Sequence, residues 1–320
     1  MASRHVLTSF IMARISAASV VVVGSLNVDH IASVKRLPTA GETVSATSLE
    51  KRFGGKGANQ ALAAARHGAQ VTLIGCLGDD PDGRDYRNHL RREGINCSAV
   101  NTVKGGTGSA FIAVDAKGEN QIIVIPGANA ALTAPSLKMQ RSRIEVAKAL
   151  LVQLEVPLDT VIEAIKLANG REVPVVLNPS PAQADFPWGE VTINVLIVNN
   201  GEARQIFGAD ADDIADELDA WKQRLKEKGV RTLVVTRGEK STLVLTDSGL
   251  KKVATHKVKP IDTVGAGDTF AGAFTTHLAE GSPLLECVRW ANTAGALATL
   301  KVGAQEGIPH RGDVQSALSA

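Results

Sequence analysis

Aromatic side chains make up only 3% of this chain, against 44% hydrophobic residues overall. A core built from it must therefore be Val, Ile, Leu and Ala packed between helices and sheet. Cysteine is scarcer still: Cys76, Cys97 and Cys287 are odd in number, far apart and without Cys-x-x-Cys spacing. That pattern excludes a disulfide framework, argues against structural zinc, and points to free thiols in a reducing, cytoplasmic compartment. No apolar run approaches the roughly 20 residues of a membrane span. Neither sign of charge is in excess, with 35 basic and 33 acidic residues and a net charge of +2. There is no electrostatic case for a nucleic-acid partner. Two common phosphate-binding signatures are also missing. No Lys-Ser or Lys-Thr follows a glycine at P-loop spacing, and the next glycine after Gly267 is Gly272, which breaks the Gly-x-Gly-x-x-Gly dinucleotide pattern.

Acidic residues are absent before Asp29. Residues 1–19 carry Arg4, Arg14 and several Ser and Ala, a composition shared by organelle transit peptides, by unstructured extensions, and by a leader ahead of a true start at Met12. The unstructured extension is the simpler reading, with residues 20–320 as the folded unit.

Along those residues strand and helix patterns alternate. Strands are expected at 20–24, 71–75, 149–153, 173–177, 193–198 and 231–236. Helices are expected at 57–67, 82–93, 134–147, 158–169, 201–207, 211–228 and 269–280. Repeated βα units of this kind imply an α/β fold with a mainly parallel sheet covered on both faces. Two segments break the alternation. Residues 30–53 hold Pro38, Gly41 and short extended pieces, and residues 107–125 read as two strands, 109–114 and 121–125, joined through Lys117-Gly118-Glu119.

The most informative run is Asp262-Thr263-Val264-Gly265-Ala266-Gly267-Asp268-Thr269-Phe270. It sets a carboxylate where a small-residue loop enters a helix. Gly265, Ala266 and Gly267 lack bulk, so backbone N–H groups there form an anion cradle favoured by the helix dipole. Asp268 beside it is able to take the proton of an attacking hydroxyl, an arrangement for phosphoryl transfer; capping the helix is its alternative role. Near the N-terminus, the buried strand pattern of residues 20–24 is followed by Asn27 and Asp29, two apart and so on one side of extended chain. Together they suit vicinal hydroxyls of a ligand beyond the strand's carboxyl end. Gly54-Gly55-Lys56-Gly57-Ala58-Asn59-Gln60 then makes a tight turn into an alanine-rich helix, with Lys56 a fixed cation between glycines and Asn59 facing the same opening.

These residues, with Asn199-Asn200-Gly201-Glu202, Gly118-Glu119-Asn120 and Pro126-Gly127-Ala128-Asn129, resemble the ribokinase-like carbohydrate and nucleoside kinase family in order over nearly the whole chain. The Asp-Thr-x-Gly-Ala-Gly-Asp motif identifies the family, and Gly-Gly-Lys-Gly-Ala-Asn-Gln narrows the likeness to its ribokinase branch. The resemblance implies a Rossmann-like three-layer sandwich with a small β-sheet lid from about 30–53 and 107–125, the lid also supplying a homodimer contact. It implies ATP-dependent phosphorylation of D-ribose at its 5-hydroxyl, with Asp268 as general base. Asn27, Asp29, Gly55, Lys56, Asn59 and Glu155 would hold the sugar, although Glu155 ahead of Pro157 equally fits a helix-start acid. Asn199, Thr236, Gly238, Gly267 and Asn292 would contact ATP. Glu202 would organise Mg2+ through water, or else simply complement a helix dipole. Asp262, Val264, Ala298, Lys301, Gly303 and Gly307 would surround K+ with oxygen atoms. Val198 before Asn199 replaces a proline common in relatives. The alternatives are a family member acting on deoxyribose, fructose or a nucleoside, and a catalytically idle relative that binds sugar and nucleotide.

Overall fold

The structure, a computed structural model, describes residues 18–320. Residues 1–17, the bulk of the expected N-terminal extension, lie outside the described residues. The chain enters through β1 (Ser19–Val23), β2 (Asn27–Val34) and β3 (Ala46–Gly54), then turns into α1 (Lys56–Arg66). β4 (Gln70–Gly78), α2 (Pro81–Arg92) and β5 (Asn96–Val103) precede the hairpin of β6 (Gly108–Val114) and β7 (Asn120–Ile125). Next come α3 (Ala134–Lys138), α4 (Arg141–Glu145), β8 (Ala149–Gln153), α5 (Leu158–Asn169) and β9 (Val175–Asn178). β10 (Val195–Asn199), α6 (Asn200–Phe207), α7 (Leu218–Glu227) and β11 (Leu233–Arg237) lead to β12 (Lys240–Thr246) and β13 (Gly249–Val253). Three helices close the chain: α8 (Ala266–Ala279), α9 (Leu284–Ala298) and α10 (Arg311–Ser319).

The large sheet runs in the order β13-β12-β11-β10-β9-β8-β1-β4-β5. Every pair from β11 to β5 is parallel, and β12 and β13 extend it antiparallel at one edge. Period-two alternation divides its side chains between two cores. Val21, Val23, Leu150 and Val152 face α5, α6 and α7, while Val20, Val22 and Leu151 face α1, α8 and α9. The fold is thus a three-layer α/β sandwich with a mainly parallel sheet. Its cores are Val, Ile, Leu and Ala with a few inserted rings, as the scarcity of aromatics requires. A separate four-stranded sheet, β3-β2-β6-β7, is mixed: β2 pairs antiparallel with β3 and parallel with β6. Among the described residues no helix is long and apolar enough to cross a membrane.

Several expected elements come out differently. The helix expected at 134–147 is two short helices, because only Leu137 and Ile144 in α3 and α4 are buried, too little apolar stripe to hold one continuous helix. The helix expected at 211–228 is a 3-10 turn (Ala211–Ala215) and then α7, the break falling where Asp212, Asp213, Asp216 and Glu217 crowd like charges together. The helix expected from 269 begins at Ala266, so Asp268 sits inside its first turn. The strands expected at 173–177, 193–198 and 231–236 start and end one to two residues later, as β9, β10 and β11. Strand β2 begins at Asn27, earlier than the break expected at residue 30, so Asn27 and Asp29 stand on the small sheet. β5, β12, β13, α9 and α10 had no place in the alternation read from sequence.

Helices α1 and α8 pack closely, and a glycine permits it. A Cβ added at Gly272 would lie 2.5 Å from the Gln60 carbonyl oxygen and 2.6 Å from Ala63 Cβ. Gly272→Ala should therefore push α8 off α1 and destabilise the protein by about 1–3 kcal/mol despite alanine's better helix propensity. Chemical denaturation reads this directly; a midpoint at or above wild type would show that the two helices have room to relax.

Candidate functional site

The carboxyl ends of the parallel strands open onto one face, and α1, α6 and α8 start there. Asp268 is buried in the first turn of α8, and the residue capping that helix is Gly265, with no side-chain cap. The capping role is therefore not Asp268's. Both its oxygens are held from α1: Asn59 Nδ2 donates to Oδ2 at 3.0 Å, and Gln60 Nε2 donates to Oδ1 at 2.9 Å. Gly265 has φ +78°, and a Cβ on it would stand 2.7 Å from the Ala304 carbonyl oxygen, so glycine alone fits this turn. The N–H of Thr269 is bonded back to Gly265, and that of Ala266 reaches Thr263 at 3.3 Å. Those of Gly267 and Asp268 belong to the helix end, where no carbonyl precedes them within the helix. Nothing lies within 4 Å of where a Gly267 Cβ would be, leaving open space over the cradle.

Two adjoining cavities share this helix start. The larger, of about 730 Å³, runs between β12, the 255–260 segment and α9, with Thr236, Gly238, Gly267 and Asn292 in its lining. Asn292 uses its amide on the wall, accepting from Thr242 Oγ1 at 2.6 Å and donating to the Ala254 carbonyl at 3.1 Å. The smaller, of about 230 Å³, is polar and lined by Lys56, Asn199, Glu202, Thr236, Gly267 and Asp268. Thr236, Thr263 and Gly267 border both, so a long ligand could pass from one into the other. Asn199 and Glu202 form a reciprocal capping box at the start of α6, with Glu202 Oε2 accepting from Asn199 N at 3.0 Å and Asn199 Oδ1 from Glu202 N at 2.9 Å. Burial by itself would lower the Lys56 pKa, but the facing carboxylates of Asp268, Glu155 and Glu202 outweigh it and the net shift is upward. Lys56 is thus a firmly charged cation on the phosphate-sized side of Asp268.

Apart from Lys56, which lines the polar cavity, the residues expected at the sugar stand at the start of β2, at the start of α1 and just after β8. Asn27 Oδ1 accepts from Asn129 Nδ2 at 2.8 Å, and Asn129 also ties the Leu26 backbone. Glu155 does not start a helix; its Oε2 accepts from Ser25 Oγ at 2.5 Å and from the Lys56 N–H at 3.0 Å, pinning the turn at Gly55. Asp29 has its carboxyl pushed up to about 7, by burial first and then by the nearby Glu155 and Glu306. Gln60, Asn129, Asn178 and Gln305 are site residues that sequence spacing did not single out. Gln60 and Asn129 lie in motifs quoted above, whereas Asn178 and Gln305 lie outside them.

The residues expected around a monovalent cation also converge. Asp262 Oδ1 accepts from Val264 N at 3.0 Å, and Oδ2 from Gly303 N at 2.8 Å. Gly307 donates to the Gly303 carbonyl, and a Cβ on Gly307 would lie 2.4 Å from the Ala298 carbonyl oxygen. Lys301 and Val264 are exposed at the rim. The Asp262 carboxylate thus ties the approach to the cradle to the 301–307 loop through backbone N–H groups. Among the described residues no group of three or more His, Cys, Asp or Glu is arranged to hold a metal ion. A divalent ion would rely on phosphate oxygens and water, with Glu202 and Asp268 the carboxylates lining the polar cavity.

A family model described as pfkB family carbohydrate kinase matches residues 17–311. The chain is 39% identical over 293 residues to the ribokinase of Haemophilus influenzae, spanning 91% of this chain and 95% of that one. It is 35% identical over 304 residues to the ribokinase of Bacillus subtilis, spanning 94% and 99%. Among solved structures, Arabidopsis thaliana ribokinase complexed with ribose and ATP superposes with a TM-score of 0.87 at 30% identity, covering 95% of this chain and 99% of that one. Similarity of this extent leaves one assignment: the chain belongs to the pfkB family of carbohydrate kinases.

Proposed function

We propose that this protein is an ATP-dependent ribokinase, making D-ribose 5-phosphate from D-ribose. One observation carries the reading: Asp268 lines the polar cavity beside Gly267, which borders the larger cavity as well, and it is held by two amides with Lys56 on the same lining. The relatives' ribokinase activity, and the ribose and ATP bound to the Arabidopsis protein, supply the substrates. Asn27, Asp29, Gly55, Asn59 and Glu155 orient the sugar, and Asp268 accepts the 5-hydroxyl proton as that oxygen bonds to the γ-phosphorus and the bond to ADP breaks. Lys56 and the first-turn N–H groups of α8 face the charge on the transferring phosphoryl. Mg2+ bound near Glu202 would supply charge neutralisation on the phosphates, and K+ at the Asp262 and 301–307 loops would support the shape of the cradle.

The small sheet serves as a lid, since Asn27 and Asp29 stand on its strand β2. Its face away from Asp29 exposes Leu49, Phe111, Ile123 and Ile125, an apolar surface suited to a second copy of the chain. The three cysteines are buried and unpaired, which agrees with a cytoplasmic location.

Asp268→Asn should keep nucleotide binding and lose about 10²–10⁴-fold in turnover, because the amide accepts no proton. A coupled ADP-release assay across ribose, deoxyribose, fructose and nucleosides tests base and substrate together; more than about a tenth of wild-type rate in this variant would remove Asp268 as the base.

Asp29 gives a pH signature. Its carboxylate must be ionised to accept two sugar hydroxyls, so the KM for ribose should rise about tenfold per pH unit below about 7, where the free protein holds it protonated. Because its folded value lies above the unfolded 3.8, its stabilising share in the unliganded protein is complete below 3.8 and is lost as pH rises through about 7. Asp29→Asn should flatten the ribose profile; a steep profile in that variant would place the titration elsewhere.

Activity should rise when potassium replaces sodium at fixed ionic strength, with magnesium required in both salts. Equal rates in potassium, sodium and a bulky organic cation would show that the loop at Asp262 is ordered by its backbone hydrogen bonds alone.

A further inference from the structure

A directed chain of hydrogen bonds links the start of α1, the small sheet and the 301–307 loop to Asp268. One end is the Gly54 carbonyl, at the last residue of β3, which can only accept. Tyr86 OH donates to it at 2.5 Å. Tyr86 must then act as acceptor toward its other neighbour, and Gln305 Nε2 donates to it at 2.7 Å. The second hydrogen of Gln305 Nε2 goes to Asn59 Oδ1 at 3.0 Å. This leaves Gln305 Oε1 facing His89 Nε2, 3.0 Å away, which donates to it. With its carbonyl claimed by Gln305, the Asn59 amide has only its N–H side to offer Asp268, and it does so at 3.0 Å. The far end is a carboxylate, again an acceptor only. Every amide orientation between the two ends is therefore fixed by chemistry.

Gln305 is the member that turns this chain. It is 3% exposed, and every polar atom of its side chain is engaged. Its backbone is anchored as well: Arg66 Nη1 donates to the Gln305 carbonyl at 2.8 Å, and two residues earlier Gly303 N is bonded to Asp262. We infer that Gln305 is a positioning residue for phosphoryl transfer: it holds the Asn59 amide with its N–H toward Asp268, and so makes the base depend on both the Asp262 loop and the Gly54 end of the small sheet. This rests on the reading of Asp268 as the base. The charged and titratable groups around the chain are Lys56 toward Asp268, Asp29 and Glu306 toward Tyr86, and His89 against Gln305.

Gln305→Glu keeps the side chain's shape and removes both donors. The Asn59 amide then turns its N–H to the new carboxylate and its carbonyl to Asp268, which makes that base harder to ionise. The expected result is a fall in kcat on the order of tenfold or more, the worth of a hydrogen bond to a charged group. The acid limb of the kcat profile should move to higher pH while the nucleotide KM stays within about twofold of wild type. Gln305→Met, with no polar atoms, should lose less kcat than Gln305→Glu. Tyr86→Phe keeps the ring stacked on Phe53 but drops the anchor at Gly54, and should shift the same acid limb to a smaller degree. The Tyr86 variant decides the matter if Gln305→Glu does not fold. An unshifted acid limb in Gln305→Glu, or equal kcat losses in the Glu and Met variants, overturns the inference, as does an unshifted limb in Tyr86→Phe. Asp268→Asn measured alongside separates the two ideas. An active Asp268→Asn removes the base itself, whereas an inactive one beside a wild-type-like Gln305→Glu removes only the positioning role.

Discussion

The contact between α1 and α8 is the constraint on which the site depends. Asp268 is brought to its place by one helix and oriented by another, through the neighbouring residues Asn59 and Gln60. Adjacent helix positions differ by about 100° in direction, so two neighbours reach the two oxygens of one carboxylate only if the helices nearly touch. Gly272 permits that approach, and Thr276 Oγ1 donates to the Ala64 carbonyl a turn further along. Behind Gln60 the order continues: its Oε1 accepts from Gln153 Nε2 at 2.6 Å, and its Nε2 also donates to Asn178 Oδ1 at 3.0 Å. The base is thus referred to the ends of β8 and β9, and through them to the whole parallel sheet.

Amides rather than cations hold this carboxylate. An arginine in bidentate contact would also orient Asp268, but it would stabilise the ionised form strongly and make it a poor proton acceptor. Neutral donors fix direction with less effect on basicity. Lys56, on the lining of the polar cavity, shares its attraction with Glu155 and Glu202 as well as Asp268. The sugar side is opposite in character. Asp29 carries no such partner and faces Glu155 and Glu306, so burial and repulsion raise it to about 7.

Much of this was legible in the sequence and some of it was not. The sheet's parallel part followed from β-branched runs and intervening helices, and the motif around Asp268 marked a helix start. Asn59 and Glu202 could be placed near that opening because local pattern fixes the first turn of a helix. The antiparallel edge of β12 and β13 escaped notice because exposed Lys251 and Lys252 weaken its apolar alternation. Gln305 escaped for a different reason. Its role exists only because 246 residues of separation from Asn59 are closed in space, and no periodicity records a contact of that kind. The same holds for Asn129, whose hold on Asn27 spans 102 residues.

The far end of α8 imposes a further condition on the near end. There His277 and His67 pack edge to face beneath Trp290, and both are almost wholly buried. Burial lowers His277 to about 4, although Glu280 works the other way, and lowers His67 to about 3. Both folded values lie below the ordinary 6.5, so the unfolded chain takes up these protons first as pH falls. Between about 4 and 6.5 two histidines therefore draw stability down with falling pH, while Asp29 alone raises it. Two protons against one leaves these three groups with a net loss toward acid. The helix that carries the base is then held most firmly on the neutral side of that window, where Asp29 is also free to ionise and take the sugar.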